Sequence, residues 1–315
     1  MSELDRYLNA ATRENTRRSY RAAIEHFEVE WGGFLPATAD SVARYLAAYA
    51  HQLALNSLKV RLSALSQWHV RQGFPDPTRT PLVRQTLRGI RAVHPSREKQ
   101  AEPLQLRDLE QLHAYLHTEA QRSAQAENHA AQLRNLRDNA LILLGFWRGF
   151  RSDELCRLRI EDLHFQANGL TLYLPHSKSD RNHKGTEYTV PALRRLCPVQ
   201  ACREWLAVSG LQQGPLFRSV TRWGNLSETR LHVNSVIPLL RSAFQRAGID
   251  AEHYSSHSLR RGFATWASAN GWDIKALMQY VGWRDMKSAL RYVDASNAFG
   301  GLALEAPALE VDAIK

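Results

Sequence analysis

The segment HSLRRGFATWASANGWDIKALMQYVGWRDMKSALRYV, residues 257–293, contains the motifs that decide the fold of this chain. Its pattern predicts three short helices, over about 258–269, 273–281 and 285–293. His257-Ser-Leu-Arg260 opens the first helix, and Gly282-Trp283 separates the second from the third. Tyr292 follows Trp283 by nine residues and lies on the third predicted helix.

Two further patterns stand upstream of this segment. The stretch Gly149-Phe-Arg151-Ser-Asp-Glu154-Leu places Arg151 at the entry to a predicted helix. Ser177-Lys178-Ser-Asp lies in the polar turn 176–185, between two segments rich in β-forming residues at 169–175 and 186–191. Their alternation predicts two short antiparallel strands.

Taken singly, each of these residues has an ordinary structural explanation. Arg151 could pair with a neighbouring acidic residue on the surface, and Lys178 could be a solvated turn residue. His257 could be a packing residue or a weak cap, Tyr292 a core residue, and Trp283 the filling of a helix junction. The hypothesis of an active site therefore depends on the whole set.

Together, two arginines, a lysine, a histidine and a tyrosine are the groups that a metal-free phosphodiester exchange requires. The leaving alkoxide needs a general acid, the tyrosine hydroxyl needs help in losing its proton, and the pentacoordinate phosphate needs positive donors. Arginine offers planar, paired N–H groups suited to phosphoryl oxygens. The sequence has no DxD or HExxH motif or carboxylate cluster typical of magnesium or zinc sites, so no metal and no cofactor are expected.

The order of these residues resembles the tyrosine recombinase (phage integrase) family over nearly the whole chain. The family pattern is Arg, Lys, His-x-x-Arg, His or Trp, then Tyr. Here His257 precedes Arg260 by three residues, Arg260 precedes Trp283 by 23, and Trp283 precedes Tyr292 by nine. The resemblance implies a site-specific recombinase that cleaves and rejoins duplex DNA through a 3′-phosphotyrosyl intermediate.

The resemblance also assigns the proton-transfer roles. Tyr292 would attack the scissile phosphate, and His257 would assist proton transfer at Tyr292. Lys178 would protonate the departing 5′-oxygen. Lys184 lies in the same turn and is the alternative general acid, although Lys178 is favoured because it directly follows the first strand.

The remaining roles concern binding of the phosphate. Arg151 and Arg260 would hold its non-bridging oxygens. Trp283 stands where many family members have His, and its indole N–H can donate to the phosphate but cannot act as an acid or base. Glu154 corresponds to the acidic residue that usually supports this active site.

The first third of the chain predicts four amphipathic helices. The first covers 12–30, the second is capped by Asp40 or Ser41, the third is capped by Asn56 or Ser57, and the fourth covers 82–93. Helices are also predicted over 105–119, 130–148, 198–208 and 232–247. The pattern predicts a mainly α fold with a four-helix unit over 1–95, a linker over 96–103 and a mostly α unit with a small antiparallel β-hairpin over 104–315. The resemblance implies that these are a SAM-like core-binding domain and a catalytic domain. This is the architecture of DNA breaking-rejoining enzymes.

The composition favours nucleic acid as the partner. The 315 residues carry a net charge of +10 with a pI near 9.8, and the N-terminal third is the more densely basic part. Three cysteines without CxxC spacing, no secretory signal and no long apolar stretch predict a cytoplasmic, nucleoid-associated protein without membrane contact. Candidate base-contacting residues lie on the third helix and around the 232–247 helix: Asn56, Lys59, Arg61, Ser63, Gln67, Arg230, Asn234 and Arg241.

Several finer expectations follow from the resemblance. The partner would be duplex DNA with an inverted-repeat core site, bound by a homo-tetramer in the synaptic complex, with an accessory protein as a further possible partner. No arm-binding domain is expected before the first helix. Two alternative functions stay open: a type IB topoisomerase-like enzyme and a catalytically silent DNA-binding accessory protein.

Overall fold

The computed structural model describes residues 14–95, 101–175 and 185–283, together with the single positions 3, 6, 7, 12, 285, 286, 289 and 290. The chain divides into two compact units, Met1–Lys99 and Gln100–Lys315. Each unit has its own hydrophobic core. Within the described residues, no helix combines the length and the apolar character needed to cross a membrane.

The first unit is helical, as predicted. Its helices are α1 (Glu14–Glu25), which continues as a π-helical turn over His26–Glu30, α2 (Ala39–Ala48), α3 (Leu55–Arg71) and α4 (Pro81–Val93). Pro81 starts α4 because its missing N–H would have no partner in the first turn. The helices enclose a core around Phe27, Tyr45, Leu58 and Leu65.

Both predicted caps in this unit are wrong. Helix α2 is capped by Thr38, whose Oγ1 accepts the backbone N–H of Ser41 at 3.1 Å, and Asp40 inside the helix pairs with Arg44 instead. Helix α3 begins at Leu55 after Ala54, which makes no side-chain cap, so Asn56 and Ser57 lie in its first turn. Burial of its apolar face stabilises this turn without the cap, because packing outweighs local capping preference.

The second unit contains the remaining elements. They are α5 (Leu106–Gln125), α6 (His129–Arg148), α7 (Ser152–Arg157), β1 (Leu163–Phe165), β2 (Gly169–Leu174), β3 (Thr186–Pro191), α8 (Pro198–Ser209), β4 (Arg218–Val220), β5 (Leu226–Arg230), α9 (Val236–Arg246), α10 (Ser256–Ala269) and α11 (Ile274–Val281). Helix α5 is longer than the predicted 105–119. A 3₁₀ turn, Val233–Ser235, replaces the first turn of the predicted 232–247 helix. Most of the helix predicted over 285–293 lies outside the described residues.

The mainly helical fold with small antiparallel sheets confirms the predicted fold class. Strands β2 and β3 pair antiparallel, with Leu174 opposite Thr186, so they flank the predicted turn. The sequence analysis missed β1, which adds an antiparallel edge to this sheet, and the separate β4–β5 hairpin. Strands of three residues, such as β1 and β4, are too short for an alternating pattern to reveal them.

Helix α6 forms the centre of the second unit. Every residue from Asn135 to Arg148 is buried, because α5, α8 and α10 pack around this helix. Its buried polar side chains therefore need partners inside the protein: Arg137 pairs with Asp138 at 2.7 Å. The C-terminal end of α6 leads directly into the GFRSDEL motif.

Candidate active site

The end of helix α6 positions the first arginine of the predicted set. Gly149 ends the helix with φ of 62°, a left-handed conformation that glycine adopts without steric cost. Two residues later, Arg151 stands immediately before α7. The carboxylate of Glu154 accepts the backbone N–H of Arg151 at 2.8 Å and its Nη1–H at 2.6 Å. Glu154 therefore fixes both the backbone and the side chain of Arg151.

Arg260 reaches the same place from helix α10. Its Nη1 donates to the carbonyl oxygen of Gly149 at 2.6 Å and lies 4.0 Å from Oε2 of Glu154. Helices α6 and α10 can approach this closely because of Gly145: a Cβ there would stand 2.8 Å from Cδ1 of Leu259. The two arginines thus lie at one carboxylate.

Trp283 completes the described part of the cluster. Helix α11 ends at Gly282, with φ of 73°, and the Trp283 N–H then donates to the carbonyl of Met278 at 2.8 Å. The Arg260 guanidinium carbon lies 5.1 Å from the centre of the Trp283 ring. This cation–π contact ties the end of α11 to the second arginine.

The cluster has a buried side and an open side. The side chains of Arg260 and Glu154 are 3% and 5% exposed, whereas that of Arg151 is 25% exposed. His257 is exposed in the first turn of α10, where its N–H donates to Oγ of the capping Ser255 at 3.2 Å. Positions 257 and 260 are three apart and therefore neighbours on the helix surface. An anion could reach Arg151 and His257 from solvent.

Three predicted site residues fall outside the described residues. Lys178 and the alternative Lys184 lie between β2 and β3, and Tyr292 lies beyond the end of α11. Their assignments stay predictions. The described strands place the two ends of the lysine-containing segment at the paired residues Leu174 and Thr186.

Sequence reasoning missed Arg148, the last residue of α6. It is buried, and its guanidinium carbon lies 4.5 Å from the ring centre of Tyr188 and 4.1 Å from that of Tyr280. Among the described residues, no acceptor lies within hydrogen-bond distance of its Nε or Nη1. The signal available in the sequence was an arginine that directly follows the apolar run 140–147.

The base-contacting candidates of the first unit lie along α3. Asn56, Lys59 and Ser63 are exposed, while Arg61 and Gln67 are half-buried. Burial raises the pKa of Tyr45 to about 12, and Arg61 acts in the opposite direction, so Arg61 lies next to the core of this unit. Oγ of Ser63 donates to the carbonyl of Lys59 at 2.9 Å.

The candidates of the second unit have different surroundings. Arg230 ends β5 and Asn234 lies in the following 3₁₀ turn, and both are exposed. Arg241 is also exposed, but its Nε donates to the carbonyl of Tyr254 at 3.3 Å. Arg241 thus links α9 to the loop before α10. None of these contacts tests whether a residue touches a base.

Comparison with known proteins identifies the family. The model of the phage integrase family matches residues 107–298. An integrase/recombinase xerD homolog of Selenomonas ruminantium is 29% identical over 309 residues, covering 95% of this chain and 87% of the relative. The recombinase cre of Escherichia phage P1 is 24% identical over 294 residues, covering 88% and 80%.

Solved structures share the fold. The XerH site-specific recombinase in a post-cleavage complex with a palindromic difH substrate gives a TM-score of 0.63 at 18% identity, covering 89% of this chain and 76% of XerH. A lambda integrase dimer bound to a COC′ core site gives a TM-score of 0.58 at 16% identity, covering 99% and 97%. The family match spans the GFRSDEL, HSLRRGFAT and GWRDMKSALRYV motifs. This chain belongs to the phage integrase family, and it is a tyrosine recombinase.

Proposed function

We propose that this protein is a site-specific DNA recombinase that breaks and rejoins duplex DNA through a 3′-phosphotyrosyl intermediate on Tyr292. The observation that carries this proposal is the meeting of Arg151 and Arg260 on the carboxylate of Glu154, beside Trp283. Two guanidinium groups held at one point suit a phosphate that gains negative charge during the reaction.

The arginines bind the non-bridging oxygens of the scissile phosphate. Glu154 holds Arg151 through its backbone N–H and its Nη1–H, and the planar guanidinium fork suits phosphoryl oxygens. Buried Arg260 is preorganised by Gly149, so no rearrangement is needed when charge develops on the phosphate. The indole N–H of Trp283 adds a neutral donor.

The reaction exchanges one phosphodiester for another. The phenolic oxygen of Tyr292 forms a bond to phosphorus while the bond from phosphorus to the 5′-oxygen breaks. His257 assists removal of the phenolic proton, and Lys178, with Lys184 as the alternative, gives a proton to the 5′-oxygen. An incoming 5′-hydroxyl reverses these steps, so rejoining needs no ATP or cofactor.

Duplex DNA is the proposed partner. XerH and lambda integrase, which share the fold, are described bound to a difH substrate and to a COC′ core site. By analogy, residues 1–95 would form a core-binding domain, 96–103 a linker and 104–315 the catalytic domain. The eight base-contacting candidates, an inverted-repeat core site, a synaptic homo-tetramer, an accessory protein and a cytoplasmic location stay predictions.

Covalent trapping tests the chemistry. A duplex selected from random DNA by the wild-type protein, nicked just beyond the cleavage position, would lose its short leaving fragment after attack and so prevent religation. We expect an adduct that survives denaturing electrophoresis with the wild-type protein and none with Tyr292→Phe. If the wild-type protein forms no adduct on DNA that it binds, the silent accessory function is correct instead.

A second assay separates recombination from topoisomerase activity. Two copies of the selected site on separate DNA molecules should exchange strands in the presence of the wild-type protein. Relaxation of a supercoiled plasmid that lacks the site, without strand exchange between sites, would favour a type IB topoisomerase-like enzyme.

A further inference from the structure

The buried side chain of Arg148 has no role in the proposed mechanism, and its surroundings are unusual. It is 6% exposed, and within the described part of the chain its Nε and Nη1 have no hydrogen-bond acceptor. Burial of a charged group without such partners is unfavourable, and an apolar side chain would fill the end of a buried helix at lower cost. An arginine kept under these conditions needs an explanation.

Two aromatic rings provide the surroundings that stabilise this charge. The guanidinium lies over the rings of Tyr188 and Tyr280, 4.5 Å and 4.1 Å from their centres. A planar guanidinium can stack on two faces at once, which a lysine ammonium cannot. Burial lowers the pKa of Arg148 from its usual value, and the two tyrosines act in the opposite direction.

The two rings belong to different elements, Tyr280 to helix α11 and Tyr188 to strand β3. The hydroxyl of Tyr280, on α11, donates to the carbonyl of Trp147 in α6 at 2.9 Å. Tyr280 and Arg148 are therefore both fixed to the end of α6 and form a platform. Tyr188 lies on β3, and its ring is the second one that the guanidinium contacts. Its ring also meets that of Phe150, with 5.3 Å between centres.

The position of Tyr188 connects this platform to the lysine-containing segment. Strand β3 begins at Thr186, directly after the segment that carries Lys178 and Lys184. Two residues of strand, about 7 Å, separate Thr186 from Tyr188. Tyr188 pairs with Leu172, and Thr186 pairs with Leu174. A contact that fixes Tyr188 therefore fixes the described strand ends on both sides of the lysine-containing segment.

We propose that Arg148 is a positioning residue of the recombinase: stacked on Tyr280, it holds Tyr188 and thereby sets where the lysine general acid stands relative to Arg151 and Arg260. This inference rests on the proposed function, because it needs a lysine that protonates the 5′-oxygen. Arg148 does not contact the DNA in this role. It acts by holding β3 in a fixed position against the end of α6.

The test compares two leaving groups in single-turnover cleavage. A 5′-bridging phosphorothiolate releases a sulfur that leaves without protonation, so its cleavage does not require the general acid. On the ordinary oxygen substrate we expect Arg148→Met to be about 10- to 100-fold slower than wild type, the range that follows from a small misplacement. On the sulfur substrate the deficit should shrink to within about threefold, because the lysine is no longer needed.

Matched variants separate this role from a general loss of structure. Arg134→Met removes an arginine from the same helix, about 21 Å away along its axis, and should cleave both substrates like wild type. Tyr188→Leu should be slow on the oxygen substrate and nearly normal on the sulfur substrate, like Arg148→Met, and it provides the test if Arg148→Met fails to fold. Tyr188→Phe keeps the ring and should cleave both substrates normally. Arg148→Lys keeps the charge without the flat stack and should also be slow.

Several results would overturn the inference. One is cleavage of the oxygen substrate at the wild-type rate by Arg148→Met or by Arg148→Lys. Another is an equal loss of cleavage rate by Arg148→Met on the oxygen and sulfur substrates. A third is a loss of cleavage rate that an equal loss of DNA affinity explains. Failure of the proposed function looks different, because the wild-type protein itself would then form no covalent adduct on either substrate.

Discussion

One arginine–carboxylate cluster lies at the middle of helix α6 and a second lies just beyond its C-terminal end, and the two clusters differ in what their charges contact. In the first, Nε and Nη2 of Arg137 donate to Oδ1 of Asp138 at 2.9 and 2.7 Å, while its Nη1 donates to the carbonyl of Arg218. Arg246 approaches the same carboxylate at 3.6 Å and donates to Asn135. The donors of this cluster are used inside the protein.

The second cluster uses its carboxylate differently. Glu154 accepts the backbone and one side-chain N–H of Arg151, whose side chain stays a quarter exposed, and Arg260 lies 4.0 Å away, bound to Gly149. Both clusters place two arginines around one carboxylate. In the first cluster the paired Arg137 is enclosed and Arg246 donates to Asn135, whereas in the second Arg151 reaches solvent near the exposed His257. Pairing alone therefore does not identify the functional cluster, and the direction of the arginines does.

The largest expected effect belongs to the first cluster and concerns stability. Asp138→Asn leaves the buried Arg137 without its counter-charge, and breaking a buried pair costs about 3–5 kcal/mol. Urea unfolding followed by circular dichroism should give this loss in the free energy of unfolding. The folded fraction should form the covalent adduct at the wild-type rate.

An exposed pair is the control for this substitution. Asp153→Asn removes a partner of Arg157 at 2.8 Å, where both side chains are about 40% exposed, and should cost under about 1 kcal/mol. If Asp138→Asn were as mild as Asp153→Asn, the first cluster would not be the structural one.

The next effect belongs to the second cluster and concerns catalysis. Arg260→Gln removes a preorganised cationic donor, and loss of one such donor costs about 10²- to 10³-fold in rate. Single-turnover adduct formation on the nicked substrate measures it. Arg246→Gln, the matching change in the first cluster, should leave the rate within about twofold, which is below the scale of a transition-state contact. Equal losses in the two variants would contradict the distinction between the clusters.

The motifs of the second cluster could be recognised in the sequence because the residues of each motif lie within a few positions of one another. The Arg151 motif, the His257–Arg260 motif and the helical architecture were predicted from short-range patterns. The predicted caps at Asp40, Ser41, Asn56 and Ser57 were wrong because packing of α2 and α3 decides where those helices begin. Strand β1 and the β4–β5 hairpin escaped because short edge strands carry little pattern.

The first cluster and Arg148 escaped for a different reason. Arg137 and Asp138 are adjacent in the chain, but their burial and the approach of Arg246 come from α5, α8, α9 and α10 packing around α6. Arg148 meets Tyr188 and Tyr280 from positions 40 and 132 residues later. Contacts over such separations leave no local periodicity, so a single sequence could not predict them.

A smaller catalytic effect tests the role of Glu154. Glu154→Gln keeps the shape of the side chain but weakens the charge-assisted contact to Arg151, a change of about 1.5–3 kcal/mol. We expect adduct formation to slow by about 10- to 100-fold, since 1.4 kcal/mol is a factor of ten. Glu161→Gln, at the exposed partner of Arg159, is the control and should keep the wild-type rate. A fully active Glu154→Gln variant would exclude Glu154 as the residue that orients Arg151.

The smallest effect probes why the second cluster forms at this end of α6. In Gly145→Ala, the added Cβ would stand 2.8 Å from Cδ1 of Leu259 and 3.0 Å from Cδ1 of Leu155. Overpacking of about 2 kcal/mol, offset by the gain of about 1 kcal/mol in helix propensity, should leave a net loss of about 1 kcal/mol in the free energy of unfolding. Leu259 precedes Arg260, so the same displacement should slow adduct formation by a few-fold, with DNA affinity unchanged.

Gly89→Ala is the control for this last substitution, because a Cβ at Gly89 in α4 would meet no atom within 4 Å. Alanine favours a helix over glycine by about 1 kcal/mol, so this variant should be as stable as wild type or more so. If Gly145→Ala behaved like Gly89→Ala in both stability and rate, the distance between α6 and α10 would not control Arg260. Its position would then depend on contacts such as those with Gly149, Glu154 and Trp283, and the second cluster would need no close helix contact to form.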